Sequence, residues 1–178
     1  MSSDHVINLQ KWVAEFARKN DEAESARLSR AVDLISKHFG VRPHEVAILG
    51  LTAGERSLRF LAPDNLRTVG QIPLSSASSL AVRTLREKKP DIVNHFSIVP
   101  HSSVFESVPL ADQQRGEPIQ KIMSSPIVLG SRAIGVLQVS RKGRESEEAG
   151  PDFAPPQLRD LKMIADALAP CVLVWQKE

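Results

Sequence analysis

Cysteine is almost missing from this 178-residue chain; Cys171 is the only one. No internal disulfide can form, and the paired cysteines of a structural zinc site are excluded. That usage fits a reducing, cytoplasmic compartment. Tyrosine is absent and aromatics make up 4% of residues, so a core must be built from Leu, Val, Ile and Ala. No apolar run approaches the roughly 20 residues of a membrane span. Met1-Ser2-Ser3-Asp4 lacks the basic stretch and apolar region of a secretory signal, so no membrane partner is expected. Neither charge is in excess: 23 Lys and Arg stand against 21 Asp and Glu, a formal net charge of +2. No field for nucleic acid follows. Walker loops, dinucleotide fingerprints and Gly-x-Ser-x-Gly elbows do not occur.

What is present suits one ordered domain. Hydrophobic residues are 42% and charged residues 25%, which excludes disorder as the main state. Residues 4–19 read as an amphipathic helix, with Val6, Leu9, Val13 and Phe16 at spacings of three and four and Trp12 beside them. Asp21 and Glu24 form a capping-box pattern before a second stripe of Leu28, Val32, Ile35 and Phe39, closed by Gly40. Residues 4–39 are either one helix or two joined at Asn20. The period then changes to two. Val46 to Leu51 and Leu58 to Ala62 read as an antiparallel hairpin, and Thr68 to Leu74 as a further extended stretch.

A cluster of serines at 75–79 opens a helix that ends before Lys89-Pro90. Asp91 to Asn94 is a short strand. Residues 95–118 are irregular, and a long irregular segment inside a compact domain is often functional. Ile119 to Leu129 and Arg132 to Ser140 flank Gly130-Ser131, a pair suited to a type II′ turn. Ile134 to Leu137 is apolar on both faces, as in a central strand. The last helix spans about Pro155 to Trp175. Its Leu158, Leu161, Ala165, Leu168, Val172 and Trp175 follow a 3-4 repeat of coiled-coil type.

Three stretches carry a family resemblance. They are Ser125-Pro126-Ile127-Val128-Leu129-Gly130, Ala133-Ile134-Gly135-Val136-Leu137-Gln138-Val139, and Phe153 with the helix of Leu158, Leu161, Ile164 and Ala165. Together with Lys89-Pro90-Asp91-Ile92-Val93-Asn94 upstream, they resemble a GAF domain over roughly residues 22–175. The resemblance implies an α+β fold: a central six-stranded antiparallel sheet, with the N- and C-terminal helices packed on one face. It also implies a small-molecule pocket on a sheet face, roofed by the irregular segment, and terminal helices that pair with a second subunit. On this reading residues 1–21 are a dimerisation extension and residues 22–178 the domain itself. Its motifs specify fold better than function.

Asp91, His95 and His101 offer nitrogen and oxygen ligands, but their spacing matches no metal motif, so no metal and no cofactor is expected. Contacts to a ligand in an apolar pocket suit His95 and His101 better. The serines at 75–79 could hold an anion at a helix start, although plain capping accounts for them. Cys171 reads as a small buried hydrophobe. The pocket cysteines of GAF-type methionine sulfoxide reductases and of bilin-binding GAF domains have no counterpart here, and neither does the cyclic-nucleotide signature of phosphodiesterase GAF domains.

The expectation is therefore a non-catalytic sensory module of a signalling system, with a dimerisation scaffold lacking any ligand as the alternative. Its pocket should lie under residues 91–110, with Ser79, Asn94, His95, Phe96, His101 and Phe105 as contacts to an unknown small molecule. Leu9, Trp12, Phe16, Leu161, Leu168 and Trp175 should form a homodimer interface, and output should pass to a separate protein.

Overall fold

The computed structural model describes residues 23–99 and 116–177, together with Lys11 and Ala14. Helix α1 runs Glu24–Phe39 and stops where Gly40 takes φ 63°, a left-handed conformation in which a side chain would be strained. The capping residue is Ala23, which makes no side-chain bond, and the expected cap Asp21 lies outside the described residues. Of the helix expected over residues 4–19, Lys11 and Ala14 are helical and exposed; Leu9, Trp12 and Phe16 lie outside the described residues.

After a 3₁₀ turn at Pro43–Glu45, strands β1 (Val46–Leu51) and β2 (Ser57–Ala62) form the hairpin read from the period-two pattern. Strand β3 (Gln71–Pro73) adds to β2. Helix α2 (Leu80–Glu87) starts at Ser79 and ends at Lys88, ahead of Lys89-Pro90. Strand β4 (Asp91–Val93) and a 3₁₀ turn at Phe96–Ile98 follow. Strands β5 (Ile119–Leu129) and β6 (Arg132–Lys142) make the long hairpin. Between them Gly130 has φ 65° and Ser131 keeps a negative φ, the pattern of a type II′ turn. Helix α3 (Pro155–Trp175) continues through Pro170.

All strand pairs are antiparallel, in the order β3-β2-β1-β6-β5-β4. The two-sided strand β6 is central, as its composition required. Pro126 sits well inside β5, but β4 covers only Ile122 to Ser124, so on its outer side the proline has no neighbouring strand to miss its donor.

Period two assigns the two faces. Val46, Ile48, Met123, Ile127, Leu137 and Val139 point to the face covered by α1 and α3. Ala47, Leu49, Ile122 and Val136 point to the other, where α2 packs through Leu80, Ala81 and Leu85. Both sheet faces are therefore buried. The expected homodimer contacts Leu161, Leu168 and Trp175 point inward instead. They are 0%, 0% and 2% exposed within the single chain. Their 3-4 seam faces α1 and the sheet, because that apolar surface matches it as well as a partner helix would. Each such side chain stabilises the fold by about 1.5–3 kcal/mol.

Polar bonds fix the helix layer in place. The Trp175 indole N–H donates to the Glu24 carbonyl at 3.1 Å. His38 Nε2 and Asp160 Oδ2 lie 3.0 Å apart. At the far end, Arg59 of β2 donates to the carbonyls of Trp175 and Gln176 at 3.1 and 2.8 Å, and Gln176 Nε2 donates to Ile134 O of β6 at 2.7 Å. Among the described residues no helix is long and apolar enough to cross a membrane.

Candidate functional site

The α2 face holds a polar set within an apolar surface. Ser124 of β5 and Gln138 of β6 are direct cross-strand partners, and both point to this face. Gln138 Nε2 donates to Ser124 Oγ at 3.1 Å, and Ser124 Oγ lies 2.7 Å from Thr84 Oγ1 of α2. The Thr84 hydroxyl donates to the Leu80 carbonyl at 2.9 Å. All three side chains are buried. Around them stand Leu49, Ile122, Val136, Leu80, Ala81 and Phe96. A few oriented polar groups in an apolar wall is the usual composition of a small-molecule site.

The residues singled out from the sequence scatter around this set. Phe96 is buried in the α2-face cluster, where a pocket contact was expected. Ser79 is a plain cap: its hydroxyl accepts from the Val82 amide at 3.3 Å, so it offers no free anion site. Asn94 is spent on structure. Its Nδ2 donates to the Phe153 carbonyl at 3.0 Å and its Oδ1 accepts from the Phe153 amide at 2.9 Å. This clamp holds the chain just before α3. His95 is exposed. His101 and Phe105 lie outside the described residues. Asp91 accepts from Arg83 Nη2 at 2.7 Å. Among the described residues no group of three His, Cys, Asp or Glu is placed to hold a metal.

A second polar cluster lies where α1 meets β1. Glu45 is buried and accepts from the Arg42 amide, the Arg42 guanidinium and the Lys142 amide at 2.7, 2.8 and 2.7 Å. Burial alone would push its carboxyl up; those hydrogen bonds outweigh it and hold the group below the usual carboxylate range. Arg42 also donates to Glu117 Oε2 and to Lys142 O, each at 3.0 Å. Burial, with help from the Arg42 charge, pushes His44 down. A cleft of about 220 Å³ opens beside the cluster between Gly40, Glu117 and Ala149. Arg42, Glu45 and Glu117 pair across its wall and Arg141 donates to the Phe39 carbonyl at 3.3 Å, which suits a structural joint.

Cys171 lies on the opposite side of the sheet from the α2 face, buried between α1 and α3, and its sulfur accepts from Arg27 Nη2 at 3.3 Å. Burial pushes the thiol up, away from the reactive thiolate.

Sequence reasoning missed the set of Thr84, Ser124 and Gln138, and also Glu45. The available signal was polar letters at alternate positions of two strands otherwise built from Ile, Val and Leu.

Comparison with known proteins adds to this geometry. A family profile described as GAF domain matches residues 24–172. Comparison with curated proteins finds no match. Among solved structures, the GAF domain of a phosphoenolpyruvate-protein phosphotransferase from Acinetobacter is similar, with a TM-score of 0.72 and 14% identity over 98% of this chain and 95% of that one. So is a methyl-accepting chemotaxis protein, residues 122 to 287, at a TM-score of 0.60 and 17% identity over 96% of each chain. Free methionine-R-sulfoxide reductase from Neisseria meningitidis, in complex with its substrate, gives 0.64 and 14% over 99% and 95%. At such identities the likeness is one of fold.

Proposed function

This chain belongs to the GAF domain family, and from that membership we propose that it is a regulatory module that binds a small molecule on the α2 face and signals as a homodimer through its terminal helices. The observation that carries this reading is the buried set of Thr84, Ser124 and Gln138 inside an apolar wall. A pure scaffold has no need for a hydrogen-bonded amide there, and hydrophobic residues of similar volume would be as stable or more so. The sheet face opposite is filled by α1 and α3, so ligand and helices share one sheet between them. A ligand with different affinity for two arrangements of that sheet would shift the helices.

Family relatives include enzymes as well as sensors. The reductase type of chemistry needs reactive sulfur, and the one thiol of this chain is buried on the far face with its reactivity suppressed. This supports a role without catalysis.

The dimer surface must then differ from the inward seam. Met163, Leu173 and Val174 of α3 are 39%, 36% and 41% exposed and lie near one another around the helix with Pro170. They suit the outward half of a helical interface, joined by residues 1–21. The fold test is a metabolite screen by thermal shift on the whole chain, followed by amide NMR of hits. A ligand that raises Tm and moves the resonances of Ser124 and Gln138 is the expected result. If hits move only α1 and α3 resonances, or none raises Tm, the α2-face reading fails and the scaffold reading replaces it.

A further inference from the structure

Resting on the ligand site just proposed, we infer that Gln138 reads the ligand, and that it selects an uncharged molecule carrying an N–H or O–H donor. A threonine hydroxyl has one hydrogen, and that of Thr84 is used on the Leu80 carbonyl. The 2.7 Å contact between Thr84 Oγ1 and Ser124 Oγ must then be filled by the Ser124 hydrogen. Ser124 in turn has none left for Gln138, so the atom of the amide facing it at 3.1 Å has to be the donor Nε2. The result is a one-way chain, from the Gln138 amide through Ser124 and Thr84 to the Leu80 carbonyl.

This chain fixes the sense of the amide. A glutamine side chain can usually flip and offer either a donor or an acceptor; Gln138 cannot, because flipping would set two acceptors against each other at Ser124. Its Oε1 takes no hydrogen bond from any described residue. Gln138 is 5% exposed, and its partner on β1 is Ala47, whose methyl group leaves more space beside the amide than a larger side chain would. A carbonyl oxygen set in an apolar wall, with no protein donor among the described residues, is open to a ligand that supplies one.

The sign of the site follows from the same inventory. An anion would meet the oxygen end of a dipole with no cation beside it. Of the buried cations among the described residues, Arg27 stands on α1 beside Cys171, Lys121 pairs with Asp152, and Lys142 lies four residues along β6 from Gln138. The apolar residues around the set disfavour an ion further. The ligand class is thus a small, largely apolar molecule with a neutral amide, amine or hydroxyl donor.

The test uses three probes of similar frame: benzamide, N,N-dimethylbenzamide and benzoate. They are titrated against the whole chain while the Gln138 side-chain NH2 and the Ser124 amide are followed by NMR. Benzamide should bind at least about tenfold more tightly than either of the others, the value of one hydrogen bond. Thr84→Val frees the Ser124 hydrogen and lets the amide flip, so the benzamide preference should fall to within about twofold. Should Thr84→Val not fold, Ser124→Ala breaks the same chain. Gln138→Leu should abolish the preference outright. If probes bind the α2 face without a donor preference, or if the preference survives both Thr84→Val and Gln138→Leu, the inference is overturned while the ligand site stands. If none of the three moves an α2-face resonance at millimolar concentration, while a metabolite found by the thermal-shift screen does, only the inference falls. If that metabolite fails too, the ligand reading falls with it.

Discussion

Gly135 of β6 faces the backbone of Leu49 on β1 so closely that a Cβ at this position would stand 2.3 Å from the Leu49 carbonyl oxygen. The obstacle is main chain and cannot rotate aside. The close approach of β1 and β6 at this point depends on that missing methyl group. Gly135→Ala should cost about 1–3 kcal/mol through overpacking. For a chain of this length Tm falls by about 2–4 °C per kcal/mol. A thermal melt checks this, and an unchanged Tm would show that β1 and β6 can part without loss.

Asn94 should behave as a structural residue. Asn94→Ala leaves the amide and carbonyl of Phe153 without their partner, at a cost of about 1–3 kcal/mol for a part-buried group. The urea midpoint should drop with the slope unchanged. Probe binding by the folded fraction should match that of the unaltered chain; a selective loss of binding would instead return Asn94 to the ligand site.

Acid stability should depend on Glu45 and His44. The Glu45 carboxyl is held below its ordinary value of 4.5, so its contribution is complete above that pH and is lost as pH falls below it. His44 is held below 6.5, which favours the neutral ring in the folded chain; its contribution is lost as pH falls below 6.5. Both act in the same direction. Tm against pH should therefore decline in two steps toward acid. Glu45→Gln should remove the step below pH 4.5 and lower Tm at neutral pH by the equivalent of about 1–3 kcal/mol. A step that persists in this variant would place the sensitivity elsewhere.

The assembly is tested at Leu173 and Val174. If the outward side of α3 is a dimer surface, Leu173→Asp with Val174→Asp should shift sedimentation from dimer to monomer. Secondary structure should be retained, since both side chains already meet solvent in the single chain. The interior residues Leu161 and Leu168 make the contrast, because an Asp at either should unfold the chain. Sedimentation as a monomer before any substitution would remove the dimer from the proposal.

Much of the fold was legible because its signals are local. Gly40 and Ser79 end and begin helices by the chemistry of one residue, and Gly130-Ser131 fixes a hairpin by one positive φ. The seam of α3 was visible, but its direction was not. Spacings of three and four say that a helix side is apolar, and a sheet satisfies that as well as a second helix does. Asn94 and Phe153 are 59 residues apart, and nothing in either neighbourhood announces the other. Ser124 and Gln138 stood in plain view as polar letters in apolar strands. Their meaning depended on a register that sets them side by side, and on the helix that brings Thr84 above them.

The grip of Arg59 and Gln176 on the end of α3 has a mechanical consequence. The last turn cannot slide along its axis without breaking three bonds at once, two to β2 and one to β6. What remains is a swing about that tethered end, a lever whose fulcrum lies at β2 and β6. A twist of the strands would then emerge as a change of helix tilt, with almost no axial travel.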